Sequence, residues 1–127
     1  MKAPDWIESA VREFGRASGV SSLSLGERGV ASLVFENGVK VGFEHEDGSL
    51  AVIASVPAAS DPATISRILL LANPLNDKAR RLRSGYITGS SRAMFAMLIP
   101  DGEVTPPVLN SAFSVLWQAA GEIGGGR

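Results

Sequence analysis

Residues 39–56, Val-Lys-Val-Gly-Phe-Glu-His-Glu-Asp-Gly-Ser-Leu-Ala-Val-Ile-Ala-Ser-Val, decide the fold. Val39, Val41 and Phe43 fall on one side of an extended chain, Lys40, Glu44 and Glu46 on the other. Asp47-Gly48 then supplies two residues that tolerate positive φ, the requirement of a tight hairpin turn. Leu50–Val56 returns, apolar on both sides. The stretch therefore predicts an antiparallel hairpin, part of a meander of strands joined by tight turns.

Working outward, Asn37-Gly38 repeats the turn signal and joins Val39–Glu46 to an expected strand over Val30–Glu36. A further short strand is expected over Ser21–Leu25, linked through Gly26-Glu27-Arg28-Gly29. Upstream, residues 4–17 have helical period. Ala3, Trp6, Ile7, Ala10, Val11, Phe14 and Ala17 fall on one face, with Asp5, Glu8, Ser9, Arg12, Glu13 and Arg16 opposite. Pro4 suits the first turn, and Gly19 a stop.

Downstream, Pro57 closes the strand run. Asp61-Pro62 reads as an N-cap and first turn for a helix over Pro62–Ala72, which ends at Asn73-Pro74. Residues 75–81 form a polar connection. Leu82–Thr88 and Arg92–Ile99 predict a hairpin around Gly89-Ser90-Ser91. Thr105-Pro106 opens a last helix to about Ile123, with Trp117 toward its outer edge. The expected class is α+β: an antiparallel sheet of about five to six strands with three helices, in the order α-β-β-β-β-α-β-β-α.

Composition narrows function by exclusion. The 127 residues suit one domain. Twelve basic residues against thirteen acidic give a net charge of −1, so no global polycation is available for nucleic acid. Lys78, Arg80, Arg81, Arg83 and Arg92 form a local basic stretch, read as a solvated loop and edge strand rather than a nucleic-acid surface. There is no cysteine and one histidine, which removes thiol catalysis, disulfides and two-histidine metal sites within the chain. His45, flanked by Glu44 and Glu46, reads as a solvated strand end without a catalytic partner. No phosphate-loop motif precedes a helix. The expectation is a protein that is not an enzyme, with no cofactor and no metal. Acidic residues interrupt any signal-peptide core, and the apolar run Ile68–Ala72 is far short of the ~20 residues that span a bilayer. A cytoplasmic protein without membrane insertion is expected.

What the sequence offers instead is surplus apolar surface. In helix 62–72, Ile65, Ile68, Leu69 and Ala72 share one face while Leu70 and Leu71 lie nearly opposite. Strand 92–99 also carries apolar residues on both faces. Such a surplus implies an oligomer or a peptide client.

Three features together resemble one family, the class I chaperones of bacterial type III secretion (Tir-chaperone-like). An amphipathic first helix runs into a Gly-punctuated hairpin, here Gly19-Val20 through Leu25, Gly29 and Leu33-Val34-Phe35. The second helix ends Ile68-Leu69-Leu70-Leu71-Ala72-Asn73. A strand hairpin leads through a Pro-containing turn to a final amphipathic helix. The likeness spans nearly the whole chain and implies one chaperone domain over residues 1–127.

The resemblance implies a homodimer that binds the N-terminal segment of a secreted effector protein in extended form and keeps it soluble and secretion-competent. It implies effector contacts at Trp6, Ile7, Ala10, Val11, Phe14, Leu33 and Phe35, and a dimer interface at Ile65, Ile68, Leu69, Leu70 and Leu71. A protein-binding adaptor or regulator on the same fold is the alternative. A nucleic-acid binder using residues 78–92 ranks behind both.

Overall fold

The computed structural model describes residues 3–17, 19, 23–35, 38–71 and 82–124. The hairpin foreseen at 39–56 forms as β2 (Lys40–Glu46) and β3 (Ser49–Pro57), with Glu46 opposite Ser49 and Lys40 opposite Ser55. Asp47 and Gly48 at its tip have φ of 52° and 78°, the left-handed pair that lets two residues reverse a right-twisted ribbon. β1 (Val30–Val34) pairs with β2. β5 (Arg92–Pro100) pairs with the other side of β3, and β4 (Leu82–Ile87) pairs outside β5. Among the described residues the sheet has five antiparallel strands in the order β1-β2-β3-β5-β4, with β1 and β4 outermost.

Helix α1 (Asp5–Ala17) turns Ile7, Ala10, Val11 and Phe14 into the core. Burying Ile7, Val11 and Phe14 contributes about 1.5–3 kcal/mol each relative to exposure. Asp5 and Glu8 in its first turn and Arg16 in its last complement the helix dipole. Helix α3 (Pro106–Gly124) lies across β3 and β5 and against α1. Its first turn is closed by Thr105, whose hydroxyl accepts the Val108 N–H at 3.3 Å. Helix α2 (Pro62–Leu71) lies against β4 and α3. Asp61 caps it, accepting the Thr64 N–H at 2.9 Å, and these bonds from Thr64 hold the Asp61 carboxyl below its ordinary value. Arg67 on α2 donates to the Glu122 carbonyl near the end of α3.

Alternation along the strands assigns the two sheet faces. Leu50, Val52, Ala54 and Val56 of β3 point to the helices, together with Phe43 and Val41 of β2 and Phe95 and Ile99 of β5. Ala51, Ile53, Met94, Ala96 and Leu98 point the other way. That second face explains why β3 and β5 are apolar on both sides, yet no described helix crosses it.

The expected α+β class with three helices holds. The strand expected over Ser21–Leu25 does not form in its described part. Leu23 and Leu25 are buried, but they belong to no strand of the sheet. The reason is a contact from α1: the Leu25 N–H donates to Glu8 Oε2 at 3.0 Å, so Glu8 takes the backbone donor a strand partner would need, and the Ser24 hydroxyl donates to Glu8 Oε1. Residues 21 and 22 lie outside the described residues. Among the described residues three strands precede α2, where four were expected.

Candidate interaction surfaces

The sequence-predicted effector residues fall into two groups. Ile7, Ala10, Val11 and Phe14 are all buried in the core by the sheet and α3. Trp6 is 57% exposed, and Leu33 and Phe35 are partly buried. Trp6 sits one turn from the buried stripe, with its indole N–H toward the Asp101 carbonyl at 3.4 Å. The helical period placed all five α1 residues within one broad stripe; packing separates the margin from the centre.

The predicted interface residues also divide. Ile68 is fully buried against the fold, and Ile65 is half-buried. Leu69 and Leu70 are 59% and 64% exposed. The side chain of Leu71 lies outside the described residues. A leucine left in water forgoes about 1.5–3 kcal/mol that burial would return. Two exposed leucines in succession leave α2 with apolar surface that the described fold does not cover. Leu98 and Ile87, on the uncovered face of the sheet, add to the exposed apolar surface.

Sequence reasoning missed an aromatic cluster. Phe43 meets Phe14 at a ring-centroid distance of 5.7 Å, and Phe14 meets Phe113 at 5.4 Å. Phe113 stacks on Trp117 at 5.5 Å, and Phe35 closes edge-on against Trp117 at 5.0 Å. The rings run from the core to the surface beside the end of β1. Phe113 and Trp117 are four apart on α3, the spacing that brings side chains together on a helix, and this was the available signal.

His45 is not a solvated strand end. It stands opposite Leu50, on the helix side of the sheet, so its ring turns inward. There its Nε2 meets the Asp101 carboxylate at 2.8 Å, with only 8% of the side chain exposed. Asp101 belongs to a 3-10 turn, Asp101–Glu103, between β5 and α3, and its N–H donates to the Gly48 carbonyl. One residue thereby fastens the β2–β3 hairpin to the start of α3. This accounts for the histidine as a structural partner.

Two polar features complete the surface. An open hollow of about 440 Å³ beside α1 is lined by Asp5, Glu8, Ser9, Arg12, Ser24, Gly26 and Glu27. In it, burial pushes the Glu8 carboxyl up, but hydrogen bonds from Ser24, Leu25 and Arg12 outweigh burial and hold it below the ordinary value. Of the basic stretch, Lys78, Arg80 and Arg81 lie outside the described residues. Arg83 is exposed on β4, and Arg92 donates to the Gly38 carbonyl at 2.7 Å and to Ser55. Among the described residues no three His, Asp or Glu side chains converge to hold a metal ion. No described helix is long and apolar enough to cross a membrane.

The profile of the Tir chaperone protein (CesT) family matches residues 9–123. Among solved structures, the fold is similar to one in an ExsC–ExsE complex at 20% identity, with TM-score 0.77, covering 94% of this chain and 92% of the other. It is similar to one in the HopA1–SchA chaperone–effector complex at 15% identity, with TM-score 0.75 and coverages of 94% and 93%. It is similar also to one in the complex of the Yersinia pestis type III secretion chaperone SycH with a fragment of YscM2. There identity is 14%, TM-score 0.73, and coverages 92% and 98%. No curated protein matches by sequence.

Proposed function

The chain belongs to the Tir chaperone (CesT) family, and from that premise we propose that it is a cytoplasmic, non-enzymatic chaperone of type III secretion. It binds the N-terminal segment of a secreted effector protein in extended form and holds it ready for export. The observation that carries this reading is the family match over residues 9–123, which takes in nearly all of the sheet and its helices. Solved structures similar to it include a chaperone–effector complex, which supports the same partner class here.

The active unit is a homodimer in this reading. Leu69 and Leu70 on α2 form the seam, with Ile65 at its margin and Ile68 fixing the helix from beneath. The effector-facing surface comprises Trp6, Leu33 and Phe35, while Ile7, Ala10, Val11 and Phe14 form the floor that holds them. Binding of this kind draws sequence-tolerant affinity from backbone pairing and selectivity from side-chain pockets.

The test is capture of the tagged full chain from its native cells, followed by limited proteolysis of whatever co-purifies. The expected result is one larger protein trimmed to an N-terminal fragment that stays bound. A partner that resists proteolysis only as an intact folded domain would replace this reading with the adaptor.

A further inference from the structure

We infer that His45 and Asp101 are a positioning pair for Trp6: together they fix the carbonyl toward which its indole is turned, so that the β2–β3 hairpin sets the pose of the exposed ring on α1. This rests on the chaperone reading, which makes Trp6 an effector contact, and adds the residues that hold that contact ready.

The ring has little restraint of its own. Trp6 is 57% exposed, while Ile7 and Ala10 take the buried positions on α1. An exposed side chain changes rotamer within picoseconds to nanoseconds unless a contact selects one. The indole N–H is the only polar group of the ring, and it points to the Asp101 carbonyl at 3.4 Å. So long a bond adds little stability, but it is directional. Where the carbonyl lies decides which orientation of the ring is favoured.

Asp101 opens the 3-10 turn Asp101–Glu103, which buries none of its own side chains. At Gly102 even an added Cβ would meet no atom within 4 Å. The bonds of Asp101, more than packing, therefore place the turn. Ser49 stands opposite Pro100 at the end of the β3–β5 ladder, and the Asp101 N–H carries the ladder one step further by donating to the Gly48 carbonyl at 3.0 Å. The Asp101 carbonyl also accepts the Val104 N–H at 3.2 Å, a bond that moves with the turn. The Gly48 bond alone is a hinge.

His45 is the second point of attachment. Its Nε2 lies 2.8 and 3.1 Å from the two Asp101 carboxylate oxygens. A carboxylate only accepts, so Nε2 carries the hydrogen. The imidazole is itself well anchored: 8% of the side chain is exposed, and the His45 backbone N–H donates to the Gly29 carbonyl at 2.8 Å. One chain of contacts thus runs from the inner face of β2, through Asp101, to the surface of α1.

The test uses the full chain carrying Trp117→Phe, which leaves Trp6 as the sole tryptophan. Time-resolved fluorescence anisotropy then reads the motion of that ring. Asp101→Ala removes the acceptor, and His45→Phe keeps a buried ring that donates nothing. Each should raise the amplitude of the fast component at least twofold, with an unchanged circular dichroism spectrum. Asp101→Asn keeps an accepting oxygen for His45 and should restore the parent decay. Should His45→Phe not fold, the Asp101 variants decide. A merely structural pair would lower the melting temperature and leave the fast component of the folded protein as it was. That result, or a change that Asp101→Asn does not reverse, overturns the inference. Carried through the capture experiment, His45→Phe should retain at least threefold less effector fragment than its parent, and in a Trp6→Ala background should cause no further loss. An equal further loss without Trp6 also overturns it. A parent chain that captures no fragment, with the anisotropy results as expected, would remove the chaperone reading and leave the positioning pair standing.

Discussion

In α1 the residues Ile7, Ala10, Val11 and Phe14 all disappear into the core, and the exposed apolar surface of the helix is concentrated in Trp6. In α2 the proportion inverts: Ile68 is buried, while Leu69 and Leu70 stand in water. The two helices carry similar numbers of large apolar residues, yet one is structural along its length and the other is half unpartnered. Hydrophobic content alone therefore does not locate a binding surface. What locates it is content in excess of what the neighbouring elements can cover.

The contrast is sharpest in truncation. Phe14→Ala removes a ring packed against Phe43 and Phe113 and should cost about 3–5 kcal/mol in urea-induced unfolding. Leu70→Ala, measured at a concentration where the chain is monomeric, should stay within about 0.5 kcal/mol. Equal losses would erase the distinction between the helices.

Charge insertion tests the same patch from the side of association. Leu69→Asp with Leu70→Asp should weaken self-association at least tenfold in sedimentation, with an unchanged circular dichroism spectrum. A dimer that survives both changes would move the seam off α2. The corresponding insertion in α1, Val11→Asp, should instead prevent folding, because it buries an unpaired carboxylate.

A smaller effect tests how α1 is anchored on its polar side. Glu8→Gln should cost about 1 kcal/mol, since its bonds to Ser24 and Leu25 lose their charge. Because the folded Glu8 carboxyl titrates below its ordinary value of 4.5, its contribution is fully present above that value. It is lost as pH falls from there through the depressed folded value. The wild-type and Glu8→Gln unfolding curves should therefore converge on acidification below pH 4.5. The least effect is expected of Trp6→Phe, a few tenths of a kcal/mol in thermal unfolding, because a 3.4 Å bond from an exposed ring contributes little.

Much of this was legible in the sequence, for reasons that differ by element. Asp47-Gly48 set the hairpin because few residue pairs accept its backbone geometry. The period of α1 set its inward face because a helix has only one face to turn to a sheet. The strand read at Ser21–Leu25 failed because alternation cannot reveal that Glu8, far off in sequence, takes the Leu25 amide. His45 was misread for a similar cause: its neighbours Glu44 and Glu46 are exposed, but its own side of the pleat is the inner one. Leu70 was recognised as surplus on a second face of α2, whereas the exposure of Leu69, on the face of buried Ile68, and the division of α1 into floor and margin needed the packing itself. Phe35 and Trp117 meet only when β1 and α3 are folded together, so no local pattern could join them.

The strand order carries a consequence for biosynthesis. β1, β2 and β3 are consecutive and can pair as soon as they are made, but the central seam joins Ser49–Pro57 to Arg92–Pro100. A nascent chain that has emerged only through α2 therefore holds β3 with one edge unpaired and α3 not yet made to cover it. Contacts this distant in sequence form slowly, and an uncovered strand edge invites pairing with other chains. While it is being translated, this protein has the same liability it is proposed to relieve in its clients, and the β3 edge loses it only once β5 has paired there and α3 has covered the sheet.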